Sequence, residues 1–202
     1  AIDLIKVDYE VLPFVLDPEE AIKPNSVKIH PQGNIIDGKP LVLKRGDIER
    51  GFNEAEVIYE QNYRTSLLQH VTSEPRVCVA HWAGGKLTVW DSTAFTFGVQ
   101  SGLARALKIP MSKVRVICEF MGGGFGDRSG AERYNTLASL LSMKTGLPVK
   151  MDYDRDENFL CAHHRYPTIW NLKYGVKKDG TLTAIQAKII ADMGGYRHFA
   201  GA

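Results

Sequence analysis

Hydrophobic and polar positions alternate in several parts of the chain and predict β-strands there. Residues 2–15 and 57–63 alternate in this way, as half-buried strands do. Residues 76–82 and 86–90 are two β-rich runs separated by Gly84-Gly85. A pair of glycines between two such runs is typical of a two-residue turn. The pattern therefore predicts that these two runs form a β-hairpin.

A second long hairpin is predicted near the end of the chain. Its strands are residues 169–176 and 182–191, and Lys178-Asp179-Gly180 lies between them as the turn. Two further runs are also predicted as strands. Residues 113–120 are rich in β-branched and other apolar side chains and indicate a buried strand, and residues 149–153 indicate a short one.

Apolar residues at helical spacing predict two helices. The first extends from about Phe97 until Pro110 stops it, with Ser92 or Thr93 as its cap. The second covers residues 132–144 and ends at Gly146-Leu147-Pro148. Its apolar face is predicted to consist of Leu137, Leu140, Leu141 and Met143.

The segment before residue 46 is less regular. Asp17-Pro18-Glu19-Glu20 has the features of a helix start, with acidic residues in the first turn. Residues 24–45 contain three prolines together with scattered Gly and Asn, so a surface loop is expected. The whole pattern predicts an α+β fold, in which β-hairpins flank strand–helix–strand units.

Composition and charge narrow the class of protein. The 202 residues include 25 Lys and Arg and 23 Asp and Glu, a net charge of +2, with no long basic run. Nucleic acid is therefore not an expected partner. No apolar run reaches the roughly 18 residues of a membrane helix, so no membrane partner and a cytoplasmic location are expected. The three cysteines lie far apart and are expected to be free thiols.

The two ends of the chain suggest a piece of something longer. The sequence begins at Ala1 without Met, and it ends at Ala202 shortly after Gly194-Gly195, without a terminal signal. We therefore expect an excised part of a larger protein.

Glycine is concentrated at one place. Five of the nineteen glycines fall within residues 122–130, between the predicted buried strand and the leucine-rich helix. Glycine allows positive φ angles and close approach of the backbone, so amides there can converge on a phosphate or oxo group. The alternative is a connector that only turns the chain. The density of glycines favours a ligand.

Two known glycine motifs fit this cluster poorly. Gly126-Asp127-Arg128-Ser129 lacks the Gly-Lys-Ser/Thr ending of a phosphate-binding P-loop. The dinucleotide-binding fingerprint is closer, but Ser129 replaces its third glycine, and Asp152 and Asp154 lie beyond the usual position of its acid. A nicotinamide dinucleotide-binding module stays open as an alternative, as does a non-catalytic interaction domain.

A family resemblance gives a third interpretation. Residues 120–126, Phe-Met-Gly-Gly-Gly-Phe-Gly, resemble the glycine–phenylalanine loop of the molybdenum-containing xanthine dehydrogenase/aldehyde oxidase family. Other segments resemble the family in its order and at its spacing. They include Asp91-Ser92-Thr93, Leu107-Lys108-Ile109-Pro110, Lys144-Thr145-Gly146-Leu147-Pro148-Val149, Asp154-Arg155-Asp156-Glu157 and Arg165-Tyr166-Pro167.

The resemblance implies a function for the larger protein. Residues 1–202 would form part of a molybdopterin-binding domain and supply the N-terminal half of its site. The enzyme would oxidise an aldehyde, an N-heterocycle or an acyl-type substrate with water-derived oxygen. The cofactor would be molybdopterin, in its cytosine dinucleotide form if the protein is bacterial. Iron–sulfur clusters and FAD would lie in other domains or subunits of a hetero-oligomer.

The resemblance also implies roles for individual residues. The cofactor-binding residues would be Gly123, Gly124, Phe125, Gly126 and Ala94, with the Phe125 backbone near the molybdenum. Ala94 stands where many members of the family carry a glutamine. The general-base glutamate is expected C-terminal to these residues, so the chain alone would hold no catalytic residue and would be inactive.

Two further positions are candidates for substrate binding. Ser129 stands where purine-oxidising members carry a glutamate, and Arg128 or Ser129 would instead face an anionic or acyl substrate. The alternative is that these residues belong to a helix N-terminus, with Asp127 or Ser129 as the cap.

Other side chains have weaker functional signals. His70 and Glu74 either line a pocket or lie on a strand edge. Cys161 is followed by His163-His164, but no fourth ligand follows at zinc-like spacing. Cys161 is therefore expected to be buried and the two histidines to lie in a polar loop.

Overall fold

The computed structural model describes residues 4–195, so Ala1 and Ala202 lie outside the described part. The chain divides into two compact units. One comprises residues 4–67 together with residues 166–195, and the other comprises residues 68–165. Each is described by itself. Both combine helices with sheet, and the predicted α+β fold is confirmed.

The first unit contains a three-stranded antiparallel sheet. Its strands are β1 (Val57–Arg64), β8 (Thr168–Val176) and β9 (Leu182–Ala191), in the order β1-β8-β9. The predicted hairpin of β8 and β9 is confirmed. Helix α2 (Ile48–Asn53) packs on β8 and β9. Gly51 permits this packing, because a Cβ there would lie 2.5 Å from the Thr183 carbonyl oxygen.

The N-terminal segment differs from the prediction. No strand forms between residues 5 and 15, and its apolar side chains are exposed, with Val7 at 58% and Val11 at 80%. A strand needs a neighbour for its backbone groups, and the described residues provide none here. Helix α1 (Pro18–Ala21) follows, and Asp17 caps it by accepting the Glu19 amide at 2.7 Å. Residues 24–45 are irregular except for a 3₁₀ turn.

The second unit contains a four-stranded sheet in the order β5-β4-β3-β6. Its strands are β3 (Val77–Ala83), β4 (Lys86–Asp91), β5 (Val114–Ile117) and β6 (Val149–Asp152). The pair β3 and β4 is the predicted hairpin, and Gly84 and Gly85 both have positive φ in its turn. Only β4 and β5 run parallel within this sheet, and α3 (Thr96–Leu107) makes their crossover.

Helices α3 and α4 (Arg133–Thr145) pack against this sheet and enclose its core. The core consists of small and medium apolar side chains from both helices and three strands. Its fully buried members are Ala80, Leu87, Val89, Val99, Leu103 and Ala138. The N-cap of α3 is not the predicted one. It is Phe95 rather than Ser92 or Thr93, although the Thr93 hydroxyl accepts the Phe95 amide at 3.1 Å.

Helix α4 has the predicted extent but buries a different face. Leu137, Leu140 and Leu141 are 45–49% exposed, whereas small and polar residues face the sheet. The Ser142 hydroxyl donates to the Leu147 carbonyl at 2.7 Å and accepts the Trp82 amide at 2.8 Å. Small side chains with satisfied hydroxyls allow the helix to lie close to β3, so the face predicted from leucine spacing is wrong.

The remaining elements of this unit lie near the two ends of residues 68–165. They are α5 (Arg155–Cys161) and the short paired strands β2 (Leu68–Gln69) and β7 (His164–Arg165). The prediction that Cys161 is buried is wrong, because α5 turns Asn158 and not Cys161 inward. His164 lies in β7 rather than in a loop.

The described residues provide neither a membrane span nor a cluster of metal ligands. No helix among residues 4–195 is long and apolar enough to cross a membrane. The same residues contain no group of three or more His, Cys, Asp and Glu side chains placed to hold a metal ion.

The position of the core leads to a prediction about stability. Leu103 is fully buried, so Leu103→Ala is expected to lower the unfolding free energy by about 2–5 kcal/mol. Leu160 is 81% exposed on α5, and Leu160→Ala is expected to change it by less than about 0.5 kcal/mol. Denaturant titration of both variants would measure the difference. Equal losses would contradict the assigned core.

Candidate functional site

The glycine loop lies entirely within the second unit, between β5 and α4. Its backbone takes unusual angles, with φ of +103° at Gly123, +51° at Phe125 and +94° at Gly126. The Phe125 side chain is 75% exposed. A non-glycine residue with positive φ is strained, and such strain is concentrated at functional sites. The loop thus has the geometry of a binding segment rather than of a simple turn.

Four successive amides of this loop are available to an acceptor. Within residues 4–195, the backbone N–H groups of Gly123, Gly124, Phe125 and Gly126 donate to no acceptor. The amides on either side are engaged. Gly122 donates to the Glu74 carboxylate at 2.7 Å, and Asp127 donates to the Gly124 carbonyl at 2.8 Å. Unpaired amides on an exposed glycine-rich loop suit an anionic or oxo ligand.

Ala94 and His70 lie beside the loop. A Cβ built on Gly124 would lie 3.9 Å from the Ala94 Cβ, and one built on Gly126 would lie 3.9 Å from the His70 Nε2. The Ala94 amide donates to the Arg128 carbonyl at 2.9 Å. The structure therefore brings Ala94 together with the glycine loop and adds His70 to the same neighbourhood.

Arg128 is almost fully buried, at 2% exposure. Its guanidinium donates to the Glu74 carboxylate at 2.7 Å, to the Ser92 hydroxyl, to the Thr72 hydroxyl at 3.1 Å and to the Glu74 carbonyl. A substrate could reach the two Nη groups only by displacing these partners, whereas the buried Nε donates to no acceptor among residues 4–195. The geometry favours a structural role for Arg128, and the substrate-binding role stays a prediction.

Ser129 is half-buried, and its hydroxyl donates to the Gly126 carbonyl at 3.3 Å. Its substrate-binding role also stays a prediction. The alternative that Asp127 or Ser129 caps α4 is wrong. The cap is Glu132, which exchanges hydrogen bonds with Asn135 in a capping box.

Glu74 is the centre of the contacts behind the loop. One of its carboxylate oxygens accepts hydrogen bonds from the Ser92 hydroxyl at 2.5 Å, the Gly122 amide at 2.7 Å and Arg128 at 2.7 Å. Burial raises the pKa of the Glu74 carboxyl, but these hydrogen bonds outweigh burial and lower the pKa overall. The carboxylate is therefore held in its charged form.

A second buried arginine holds the far end of the loop. Arg76 has no exposed surface and donates to Asp127 at 2.5 Å, to Glu132 at 2.8 Å and to the Asn158 side chain at 3.3 Å. This residue was not predicted from the sequence. The available signal was a charged residue at the start of an apolar strand, together with acids at both ends of the loop-to-helix segment.

Asp91 and Glu132 complete the buried polar group. Asp91 accepts the Tyr134 hydroxyl at 2.7 Å and the Asn135 amide group at 3.0 Å, and burial raises the pKa of its carboxyl. Burial also raises the pKa of Glu132 to about 7, and the nearby Asp127 and Asp91 add to this, although Arg76 acts in the opposite direction.

Comparison with known proteins identifies the family. Residues 29–202 match the molybdopterin cofactor-binding domain family, which is most of the chain. The chain belongs to this family. The predicted resemblance to molybdenum hydroxylases is thereby confirmed.

Individual relatives and a solved structure agree with this assignment. The chain is 34% identical to a probable xanthine dehydrogenase subunit of Bacillus subtilis, covering 97% of the chain and 26% of that protein. It is also 34% identical to the "Nicotinate dehydrogenase large molybdopterin subunit" of Eubacterium barkeri, covering 98% of the chain and 46% of that protein. The aldehyde oxidoreductase from Desulfovibrio gigas has a similar fold, with a TM-score of 0.79 and 26% identity over 92% of the chain and 20% of that protein. The chain thus spans between a quarter and a half of the length of these two curated relatives.

The loop of this molybdopterin-binding domain fits the cofactor chemically. A molybdopterin group presents phosphate and oxo oxygens as acceptors, and the loop offers four unpaired backbone donors among the described residues, of which Phe125 and Gly126 are exposed, Gly123 is half-buried and Gly124 is buried. Gly124 has no side chain to separate an approaching group from the backbone. The dinucleotide-binding alternative receives no support from the family match.

The raised pKa of Glu132 leads to a prediction about pH. Because the pKa is higher in the folded protein than its ordinary 4.5, the folded state binds protons more tightly, so this contribution is present at low pH and is lost as pH rises towards about 7. Relative to Glu132→Gln, the wild-type protein is expected to lose about 3 kcal/mol of unfolding free energy between these pH values. Denaturant titrations across this range would measure it. A constant difference between the two proteins would contradict the assignment.

Proposed function

We propose that this molybdopterin-binding domain belongs to a molybdenum hydroxylase that oxidises an aldehyde, an N-heterocycle or an acyl-type substrate with water-derived oxygen. The observation that carries the proposal is the loop with four unpaired amides, residues 123–126, in a domain of this family. The chain would supply the N-terminal half of the cofactor site.

The residues of the loop would hold the cofactor through their backbone. When bound, the cofactor supplies the metal centre that accepts electrons from the substrate. Amide donors of Gly124, Phe125 and Gly126 would then approach its oxygen ligands. A backbone N–H polarises such an oxygen and does not titrate, and donors fixed before binding need no reorganisation. Ala94 would border the same space without offering a donor from its methyl group.

Within the proposed substrate classes, an N-heterocycle has the most support. The two relatives are named for xanthine and nicotinate, which are both N-heterocycles. Ser129 would then offer a hydroxyl near the substrate, where purine-oxidising members of the family have a glutamate. The Nη groups of Arg128 would reach a substrate only after losing their present partners, and its unpaired Nε is buried, so Ser129 is the better candidate of the two.

Other components of the enzyme would lie outside these residues. We infer that the general-base glutamate follows C-terminal to this part of the chain. Iron–sulfur and flavin domains or subunits would carry the electrons away in a hetero-oligomer, and the cofactor would be the cytosine dinucleotide form in a bacterial protein. The relative named as a "large molybdopterin subunit" supports the multi-subunit arrangement.

Purification of the whole protein with its partner subunits would test the function. We expect molybdenum by elemental analysis and a pterin nucleotide after acid release. With nicotinate, xanthine and benzaldehyde as trial substrates in ¹⁸O-labelled water and an artificial electron acceptor, we expect labelled product from at least one N-heterocycle. A protein that lacked molybdenum and instead bound NADH would contradict the proposal, as would a molybdenum-loaded protein that oxidised no compound of these classes.

A glycine-to-alanine change tests the approach of the cofactor to the loop. The nearest atoms to the Cβ of Gly124→Ala would be those of Met121, at 3.4 Å, followed by the Ala94 Cβ at 3.9 Å, which are ordinary contact distances, and φ at this position is not in the positive region. The fold should therefore be kept, with an unfolding free energy changed by less than about 0.5 kcal/mol. Because the methyl group separates cofactor and backbone, molybdenum content is expected to fall about tenfold, as for the loss of one or two hydrogen bonds.

Gly195→Ala is the matched control for this experiment. Among residues 4–195, a Cβ at Gly195 would meet nothing within 4 Å, and no positive φ restricts the position. We expect this variant to keep wild-type molybdenum. Full molybdenum content in Gly124→Ala would show that the cofactor does not approach the loop at this residue.

A further inference from the structure

Glu74 is bonded to the residues on both sides of the exposed amides. A single carboxylate oxygen accepts the Gly122 amide at 2.7 Å, just before the loop, and Arg128 at 2.7 Å, just after it. The same oxygen accepts the Ser92 hydroxyl at 2.5 Å, from the residue after β4. One atom thus joins the two ends of the loop to the sheet.

The backbone of Glu74 repeats these connections. Its amide donates to the Gly122 carbonyl at 3.5 Å, and its carbonyl accepts Arg128 and the Thr72 hydroxyl. Gly122 and Arg128 are therefore each bonded twice to the same residue. Two bonds at each end restrict rotation of the loop as well as its displacement.

Close packing adds to the restriction at Gly122. A Cβ at this position would lie 2.4 Å from the Cβ of Glu74, a distance that side chains do not adopt. The backbone of Gly122 therefore lies directly against Glu74. Glycine is required here by the approach of Glu74, and not by an unusual φ angle, since its φ is not in the positive region.

Residues 123–126 have little support of their own. Their amides are unpaired within the described part of the chain, and Phe125 projects outward. Their carbonyls accept only local hydrogen bonds, from the Asp127 amide to Gly124 and from the Ser129 hydroxyl to Gly126. The position of these amides therefore depends mainly on the contacts at the two ends of the loop. Glu74 contacts both ends, and Arg76 adds a contact at Asp127.

We propose that Glu74 is a positioning residue that, with Arg128, fixes the backbone of residues 123–126 relative to the bound molybdopterin cofactor. The inference rests on the proposed function, because it assigns Glu74 a task in the same cofactor site. Glu74 acts through the loop and touches neither cofactor nor substrate. Arg128 thereby gains a role different from the substrate contact that its sequence position implied.

Removing the negative charge of Glu74 tests this arrangement most directly. Glu74→Gln has nearly the same shape, so it leaves no cavity, and one amide oxygen still accepts the Gly122 N–H. Hydrogen bonds that involve ions are roughly twice as strong as neutral ones, and the Gln variant loses this strength at Arg128 and Ser92. Ser92→Ala removes only one of the three donors and retains the charge.

The experiment uses the full-length protein with its partner subunits and two measurements. Hydrogen exchange of the peptide that spans the loop reports on its order, and electron paramagnetic resonance of the reduced protein reports on the molybdenum environment. For Glu74→Gln we expect about tenfold faster exchange of the Gly122 and Asp127 amides, which are the hydrogen-bonded amides at the two ends of the loop, because charge-assisted bonds are lost, and we expect an altered resonance spectrum. Ser92→Ala should cause smaller changes in the same direction.

Leu103→Ala is the control for a merely structural effect. It destabilises the same unit from the core without contacting the loop, so it should leave both the loop exchange and the resonance spectrum unchanged. Equal changes in Leu103→Ala and Glu74→Gln would overturn the proposal, as would wild-type values in Glu74→Gln. If Glu74→Gln does not fold, Ser92→Ala becomes the test variant. Wild-type values of both measurements in Ser92→Ala would then overturn the proposal.

Failure of the proposed function would look different. A wild-type protein without molybdenum would refute the function. The exchange measurement needs no cofactor, so it would still show whether Glu74 fixes the loop.

Discussion

Two buried guanidinium groups are the constraint on which the site depends. Arg76 and Arg128 are both almost without exposed surface, and a buried charge is tolerated only when it is paired and hydrogen-bonded. Arg76 is paired with Asp127 and Glu132, and Arg128 with Glu74. Any movement of the segments that carry these carboxylates would leave a buried charge unpaired. The glycine loop is connected, through the chain or by hydrogen bonds, to all three carboxylate residues, Asp127, Glu132 and Glu74.

This constraint divides the loop region into two chemically different sides. The charged and hydroxyl groups are turned inward, where they pair with one another. The outer side consists of unpaired amides and the Phe125 ring. An outer surface of this kind offers hydrogen-bond donors that keep the same charge at every pH. Such donors suit a bound group whose oxygen acceptors must keep a defined protonation state.

Local structure could largely be predicted from the sequence, but the partners of the buried charges could not. The hairpin of β3 and β4 could be predicted because two adjacent glycines define the turn, and the C-terminal end of α4 could be predicted from Gly146-Leu147-Pro148. The buried face of α4 could not, because its leucines point away from the sheet and serines with internal hydrogen-bond partners take their place. The alternation of residues 2–15 was misleading for a related reason. Periodicity shows which residues could share a face, but not whether another element covers it.

The concentration of glycines located the loop, and the family resemblance indicated its ligand, which local patterns alone left open. Neither the local patterns nor the family resemblance predicted the direction of the Arg128 side chain. It is decided by Thr72, Glu74 and Ser92, which lie between 36 and 56 residues earlier in the chain. No spacing rule connects residues so far apart.

These long separations have a consequence for the order of assembly. Arg76 meets Asp127, Glu132 and Asn158, which follow it by 51, 56 and 82 residues, so each contact closes a long segment of chain. Contacts of this kind form only once the intervening strands and helices are in place. We therefore expect the loop to acquire its binding shape late in folding, after the sheet and helices of this unit have formed.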